Sequence, residues 1–188
     1  MAEYERAKIL ERSRRGKRHA AHAGVVRVLG GAPSGSQSIS KPLGGGVARF
    51  DLVAHEARVV RQVFPWVGQE RVSIGEVCRR LQRAGEPRRD GKTTWDRSVV
   101  WGMLKNPAYK GTAGFGKTRV GALKRPLRAR RGRSLHPRQS HAIEAVPRAG
   151  WLLVPVPAII EAELDDLVQE QVAENRRRAR QGHRGVRS

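Results

Sequence analysis

From about residue 50 onward, apolar residues recur at spacings that specify elements. Ala57, Val60, Phe64 and Val67 fall three or four apart, which puts them on one helical face and predicts a helix over about 54–67. Ser73-Ile74-Gly75-Glu76 has capping-box spacing, in which a Ser oxygen and a Glu three residues later satisfy free backbone donors. Ile74, Val77, Cys78 and Leu81 then share a face, and Gly85 ends that helix. A polar turn from Glu86 to Thr94, tipped by Asp90-Gly91, leads into a short helix over about 96–105. Its expected buried side is Val99, Val100, Met103 and Leu104, with Trp95 and Trp101 packed in the core nearby. Asn106-Pro107 ends it, because a residue before proline is pushed out of the helical region. Three short helices with a basic turn before the last form a loose helix-turn-helix pattern.

The pattern changes on both sides of this module. Tyr109 to Thr118, rich in glycine, reads as a strand, and Trp151 to Val154 as its partner. Residues 161–180 form a last helix with Leu164, Leu167, Val168 and Val172 inside. Its acids come first and its arginines last, as the helix dipole prefers. At the other end, residues 2–23 read as a charged helix with a thin apolar stripe of Tyr4, Ala7, Ile9 and Leu10. Between that helix and Phe50, glycines and serines without periodicity predict a flexible connector over 25–49. The fold class expected is mainly α with a small β hairpin or sheet (α+β).

Charge sharpens this picture. The chain has 188 residues, with 38 Lys and Arg against 17 Asp and Glu, a formal charge of +21. Such a surplus repels itself until a polyanion neutralises it, so nucleic acid is the expected partner class. Residues 119–138 carry eight bases and no acid, which predicts a segment that stays unpacked until it meets a polyanion. The single cysteine, Cys78, excludes a disulfide framework and a Cys-based zinc site, and reads as a small buried apolar group. No apolar run is long enough to span a membrane and the N-terminus lacks a signal pattern, so a cytoplasmic, nucleoid-associated setting is expected.

One motif stands out by its letters. Gly111-Thr-Ala-Gly-Phe-Gly116-Lys117-Thr118 fits the GxxxxGK[ST] phosphate loop. Its surroundings do not, because no buried strand precedes it and Val120-Gly121 and Pro126 make a poor helix after it. His19 and His22 sit among cations and are expected in solvent, and no serine is flanked by a recognisable base. No catalytic residue, cofactor or metal site is expected. The DNA contacts expected from the charge pattern are Arg12, Arg15, Lys17 and Arg18 on the first helix. To these the turn and the short helix add Arg88, Arg89, Lys92, Thr93, Thr94, Arg97, Ser98 and Lys105, and the basic loop adds Arg128, Arg130, Arg131 and Arg133. Arg97 is the leading candidate for reading a base edge.

Longer stretches resemble the recombinase domain of large serine recombinases. They are His55 to Phe64, Ser73 to Val77, Trp95-Asp96-Arg97-Ser98-Val99-Val100, and Leu104-Lys105-Asn106-Pro107-Ala108-Tyr109-Lys110-Gly111. Trp151 to Ile160 resembles the segment closing that domain. Glu3-Tyr4-Glu5-Arg6 and Glu11 to Gly16 resemble the end of the long helix leading to it. The resemblance implies 1–24 as the end of that linker helix, 25–49 as linker, 50–180 as the DNA-binding domain with a basic loop at 119–148, and 181–188 as a disordered tail. It implies site-specific binding to duplex DNA in recombination or integration, and pairing through helix 1–23 with a second copy or a full-length recombinase subunit. It also implies a truncated form that binds without cleaving, since the family's nucleophilic serine and zinc ribbon have no counterpart here. The rival readings are a general RNA-binding basic protein and a phosphate-loop nucleotide enzyme.

Overall fold

A computed structural model describes the backbone of residues 2–122 and 141–182. Its elements are α1 (Ala2–His22), β1 (Ser36–Ile39), β2 (Arg49–Leu52), α2 (Ala54–Gly68), α3 (Ile74–Arg83) and α4 (Arg97–Leu104). They continue as β3 (Thr112–Phe115), β4 (Thr118–Gly121), β5 (Ala142–Ala145), β6 (Leu152–Pro155) and α5 (Ala162–Gly182). The strands form three antiparallel pairs, β1 with β2, β3 with β6, and β4 with β5. The fold is α+β.

α2 is the centre of the main core. Besides the expected stripe, Val59 and Val63 are also buried, because α3, α4 and α5 close around it. Val77 and Leu81 of α3, Val100 and Leu104 of α4, and Val168 of α5 complete that cluster. Phe64 meets Tyr109 edge-on, with ring centres 5.5 Å apart. At the start of α3 the Ser73 hydroxyl accepts from the Glu76 N–H at 3.2 Å, the cap that the sequence spacing indicates. Cys78 is buried, and burial pushes its thiol pKa up, as suits an inert packing group.

Several expectations give way to packing. Residues 25–49 are not a featureless connector, since β1 pairs with β2 and Val26 and Phe50 share a second buried cluster with Ala21 and Val154. Gly35 has φ +93° and a Cβ there would lie 2.5 Å from Ile159 Cδ1, so the chain reaches the core only by having no side chain at this point. Trp95 is buried and donates its Nε1–H to the Glu86 carbonyl. Trp101, by contrast, is 44% exposed, because it sits on the far side of α4 from Val100, Met103 and Leu104. Leu167 likewise faces solvent, and the arc of α5 that packs carries Leu164, Val168 and Val172. The outer ends of the basic segment are ordered as β4 and β5, with Arg119 of β4 paired to Glu144 of β5. Only the end of α1 packs, through Ala21, leaving Tyr4, Ile9 and Leu10 exposed.

Candidate nucleic-acid interface

Two cation-bearing surfaces come together in the fold. The first is the outer side of α4 and the turn before it. Lys92, Thr93, Thr94, Arg97 and Ser98 are all exposed and follow one another into the helix start, and Lys105 lies at its C-cap. Lys105 places its ammonium 4.1 Å from the centre of the Trp101 ring, so the exposed indole is capped by a cation. Gly102 lies between them, with nothing within 4 Å of where a Cβ would stand. This helix therefore presents a shallow, hydrogen-bonding and basic edge, while its apolar edge anchors it in the core, chiefly against α3.

The second surface is a groove of about 540 Å³ between α1 and the β3–β4 turn. Arg14, Lys17 and Arg18 line its helical wall, and Arg119 the opposite one. The three α1 cations form no ion pair among the described residues, so their charge faces the groove uncompensated. Arg14 was missing from the sequence-based set, although its spacing of three and four from Lys17 and Arg18 is the signal that would have found it. Arg12 and Arg15 line a different face of α1, with Lys8, Gly16 and His19, and Arg15 is paired to Glu11. Both His19 and His22 are exposed.

Arg88 and Arg89 serve a different purpose from the one their charge suggests. Arg89 donates to the Ala32 carbonyl at 2.7 Å, the Pro33 carbonyl at 2.9 Å, the Ser36 carbonyl, and the Glu56 carboxylate at 2.8 Å. Its donors are engaged within the chain, clasping residues 32–36 to α2. Burial opposes ionisation of Glu56, but the hydrogen bonds from Arg89 and from the Gly35 N–H outweigh it and hold its pKa below the ordinary value. Arg88 is bonded to the Thr94 carbonyl and paired with Asp90 and Asp96, which shapes the turn. Arg128, Arg130, Arg131 and Arg133 lie outside the described residues, as does most of the tail at 181–188.

The geometry at the phosphate-loop match agrees with what its surroundings indicate. Gly111 and Gly116 have φ of +95° and +78°, and between them runs β3, which pairs with β6. Lys117 and Thr118 lead into another strand, not a helix, so no helix N-terminus points its amides at a phosphate there. An internal ion pair was also missed. Lys110 reaches Asp165 at 2.7 Å, and the Asp165 side chain is 2% exposed. Hydrogen bonding to Asp165 raises the Lys110 pKa against the effect of burial.

Comparison with known proteins places this arrangement. Residues 54–175 match the family model described as Recombinase. No curated protein matches the chain. Among solved structures, the chain is similar to one described as "Crystal Structure of a LSR-DNA Complex", with a TM-score of 0.53 and 18% sequence identity. The likeness covers 87% of this chain and 38% of that one, and at this identity it concerns the fold. No helix among the described residues is long and apolar enough to cross a membrane.

Proposed function

Because this chain belongs to the Recombinase family, we propose that it is the DNA-reading part of a site-specific serine recombinase, binding duplex DNA in a sequence-directed way. The observation that carries this reading is the outer edge of α4. Arg97, Ser98 and Trp101 sit exposed on a helix whose other side is locked into the core, with the half-buried Lys105 at its C-cap. A helix held this way fits the major groove, where base edges are distinguishable. The α1 groove then supplies phosphate contacts, which set register and salt dependence rather than sequence. The binding body in this proposal begins near residue 25 rather than at Phe50, since the second buried cluster joins the two. Residues 1–24 extend from it as a linker helix, and the exposed Tyr4, Ile9 and Leu10 offer a seat for a second subunit. The role assigned to these residues is to bind and position, not to cut.

The test is selection from a random duplex pool at about 150 mM salt, where non-specific affinity is weak. A recovered common sequence supports the reading. Equal retention of duplex RNA and DNA with no enrichment would replace it with a general RNA-binding role. On the selected site, Arg97→Ala should lose preference at particular base pairs, by about 1–3 kcal/mol. A loss spread evenly over all sequences would reduce Arg97 to a phosphate contact.

A further inference from the structure

The lysine of the GxxxxGK match has no place in the groove or on α4, yet its setting is unusual. The Lys117 ammonium lies 5.5 Å from the centre of the Trp151 ring, and the Arg148 guanidinium 5.6 Å from the same centre. Neither cation pairs with a carboxylate among the described residues. Burial and the neighbouring Arg148 charge both push the Lys117 pKa below its ordinary value. Gly114 makes this packing possible, because a Cβ there would stand 2.6 Å from the Trp151 ring and 3.2 Å from Lys117 Cε. Two like charges on one ring, without an acid, are held at a cost that an anion would relieve.

Beside Lys117 opens a recess of about 260 Å³, walled by Gly30, Gly31, Asn106 and the buried Phe50, Ala113 and Gly114. Lys117 is the one ionisable side chain on that wall among the described residues. The amides of Gly30 and Gly31 donate to no acceptor among the described residues. A Cβ at either glycine would meet nothing within 4 Å, so packing does not require glycine there, whereas an approaching ligand would profit from the bare backbone. Asn106 uses its Oδ1 to accept from the Ala108 N–H at 3.2 Å, which leaves its NH₂ as a donor. Arg89 fixes the segment by holding the carbonyls of Ala32 and Pro33. The wall thus offers donors and positive charge, the complement of a phosphate oxygen.

We propose that this recess binds a phosphate group, with Lys117 supplying the charge and Gly30, Gly31 and Asn106 the N–H donors, and that on duplex DNA it takes a backbone phosphate. The assignment to a backbone phosphate rests on the duplex reading above; the recess itself does not. The test uses the full chain labelled with ¹⁵N, titrated separately with inorganic phosphate and with a duplex. The Gly30 and Gly31 amide signals should move with both probes in the wild type and with neither in Lys117→Met, while Lys117→Arg retains part of the response. Lys117→Met should also weaken duplex binding on every sequence and lower the slope of log affinity against log salt by about 1. Lys117 has no ion-pair partner among the described residues and its residue surface is largely open although its ammonium sits partly sheltered against Trp151, so the variant is expected to fold, and circular dichroism checks that independently. If neither probe moves the two glycines, the recess is not a phosphate site. Movement with inorganic phosphate but not with a bound duplex overturns the backbone assignment. If phosphate moves them and the wild type binds no duplex at all, the duplex reading fails and the recess stands.

Discussion

Arg89→Ala should cost stability, not DNA affinity at native conditions, which is the opposite of what a basic residue in a turn suggests. The variant removes the ion pair to Glu56, whose side chain is 12% exposed, and the bonds to three carbonyls of residues 32–36. A hydrogen bond to a charged group contributes about 1.5–3 kcal/mol net, and a buried partner left behind adds its own desolvation cost. The Arg89 side chain is 42% exposed, so water replaces it at the carbonyls and the Glu56 end dominates. About 2–3 kcal/mol is therefore expected, a large share of a small domain's stability. The pH dependence carries the sign. Glu56 has a folded pKa below its ordinary 4.5, so its contribution is complete above that value and is lost as pH falls through the folded one. Without Arg89 most of that depression disappears, and the gap between wild type and variant should close in acid. Urea unfolding followed by circular dichroism at neutral and acidic pH measures this, with duplex affinity taken in parallel on the folded variant. Arg89→Lys should recover little, because one ammonium does not reproduce a planar fork over several acceptors. A variant as stable as wild type whose salt slope falls by about 1 would refute the clasp and return Arg89 to the phosphates.

Two further outcomes test the packing and the binding edge. Lys110→Met should destabilise by about 3 kcal/mol, the low end for a broken buried pair because the lysine side is partly open, and Asp165→Leu on that background should restore much of it. A loss below about 1 kcal/mol in chemical denaturation would mean that water already reaches Asp165. Gly102→Ala should raise stability by about 0.5–1 kcal/mol, since the helix interior gains a better former in open space, while duplex affinity falls as the edge of α4 thickens. Unchanged affinity in a binding assay would take that edge off the DNA.

What could be read from the letters alone was what local period and capping enforce. α2, α3 and α4 bury one face each, so Val60, Phe64, Val77, Leu81 and Val100 announce themselves by spacing, and Ser73 by its distance from Glu76. The order in residues 25–49 has no such signature. It comes from Arg89, more than fifty residues away in sequence, and from a glycine at Gly35 that lets backbone touch Ile159. Trp95 and Trp101 look alike in sequence but differ by six positions on either side of the α4 start, and only the docking of α4 on α3 and α5 decides which indole is buried. The binding surfaces were half legible for a related reason. Basic residues advertise a polyanion, but whether a given arginine serves folding or binding depends on where the acids are.

That distribution bears on the proposed duplex binding. Of the 17 acids, 12 form ion pairs within the described fold: Glu11, Asp51, Glu56, Glu70, Glu76, Glu86, Asp90, Asp96, Glu144, Asp165, Asp166 and Glu174. Folding thus consumes most of the negative charge on particular arginines and lysines. Among the described residues the cations outside these ion pairs include Arg14, Lys17 and Arg18 on the α1 groove, Arg97 and Lys105 on α4, and Lys117 with Arg148 on the Trp151 ring, alongside Arg6, Lys8, Arg12, Arg27, Lys41, Arg61, Arg176 and Arg177 elsewhere. The groove cations of α1 and the pair on the Trp151 ring have no ion-pair partner among the described residues, so the repulsion there is left for a ligand to relieve. Salt should then act unequally. Exposed charges farther apart than about 8 Å are screened at physiological ionic strength, which weakens the phosphate contacts, while the half-buried pairs of Glu56 and Asp165 hold. Any polyanion that binds only the folded chain stabilises it by mass action. If the chain binds duplex DNA as proposed, the same uncompensated cations that make the free chain repel itself make its fold and that binding a single linked equilibrium.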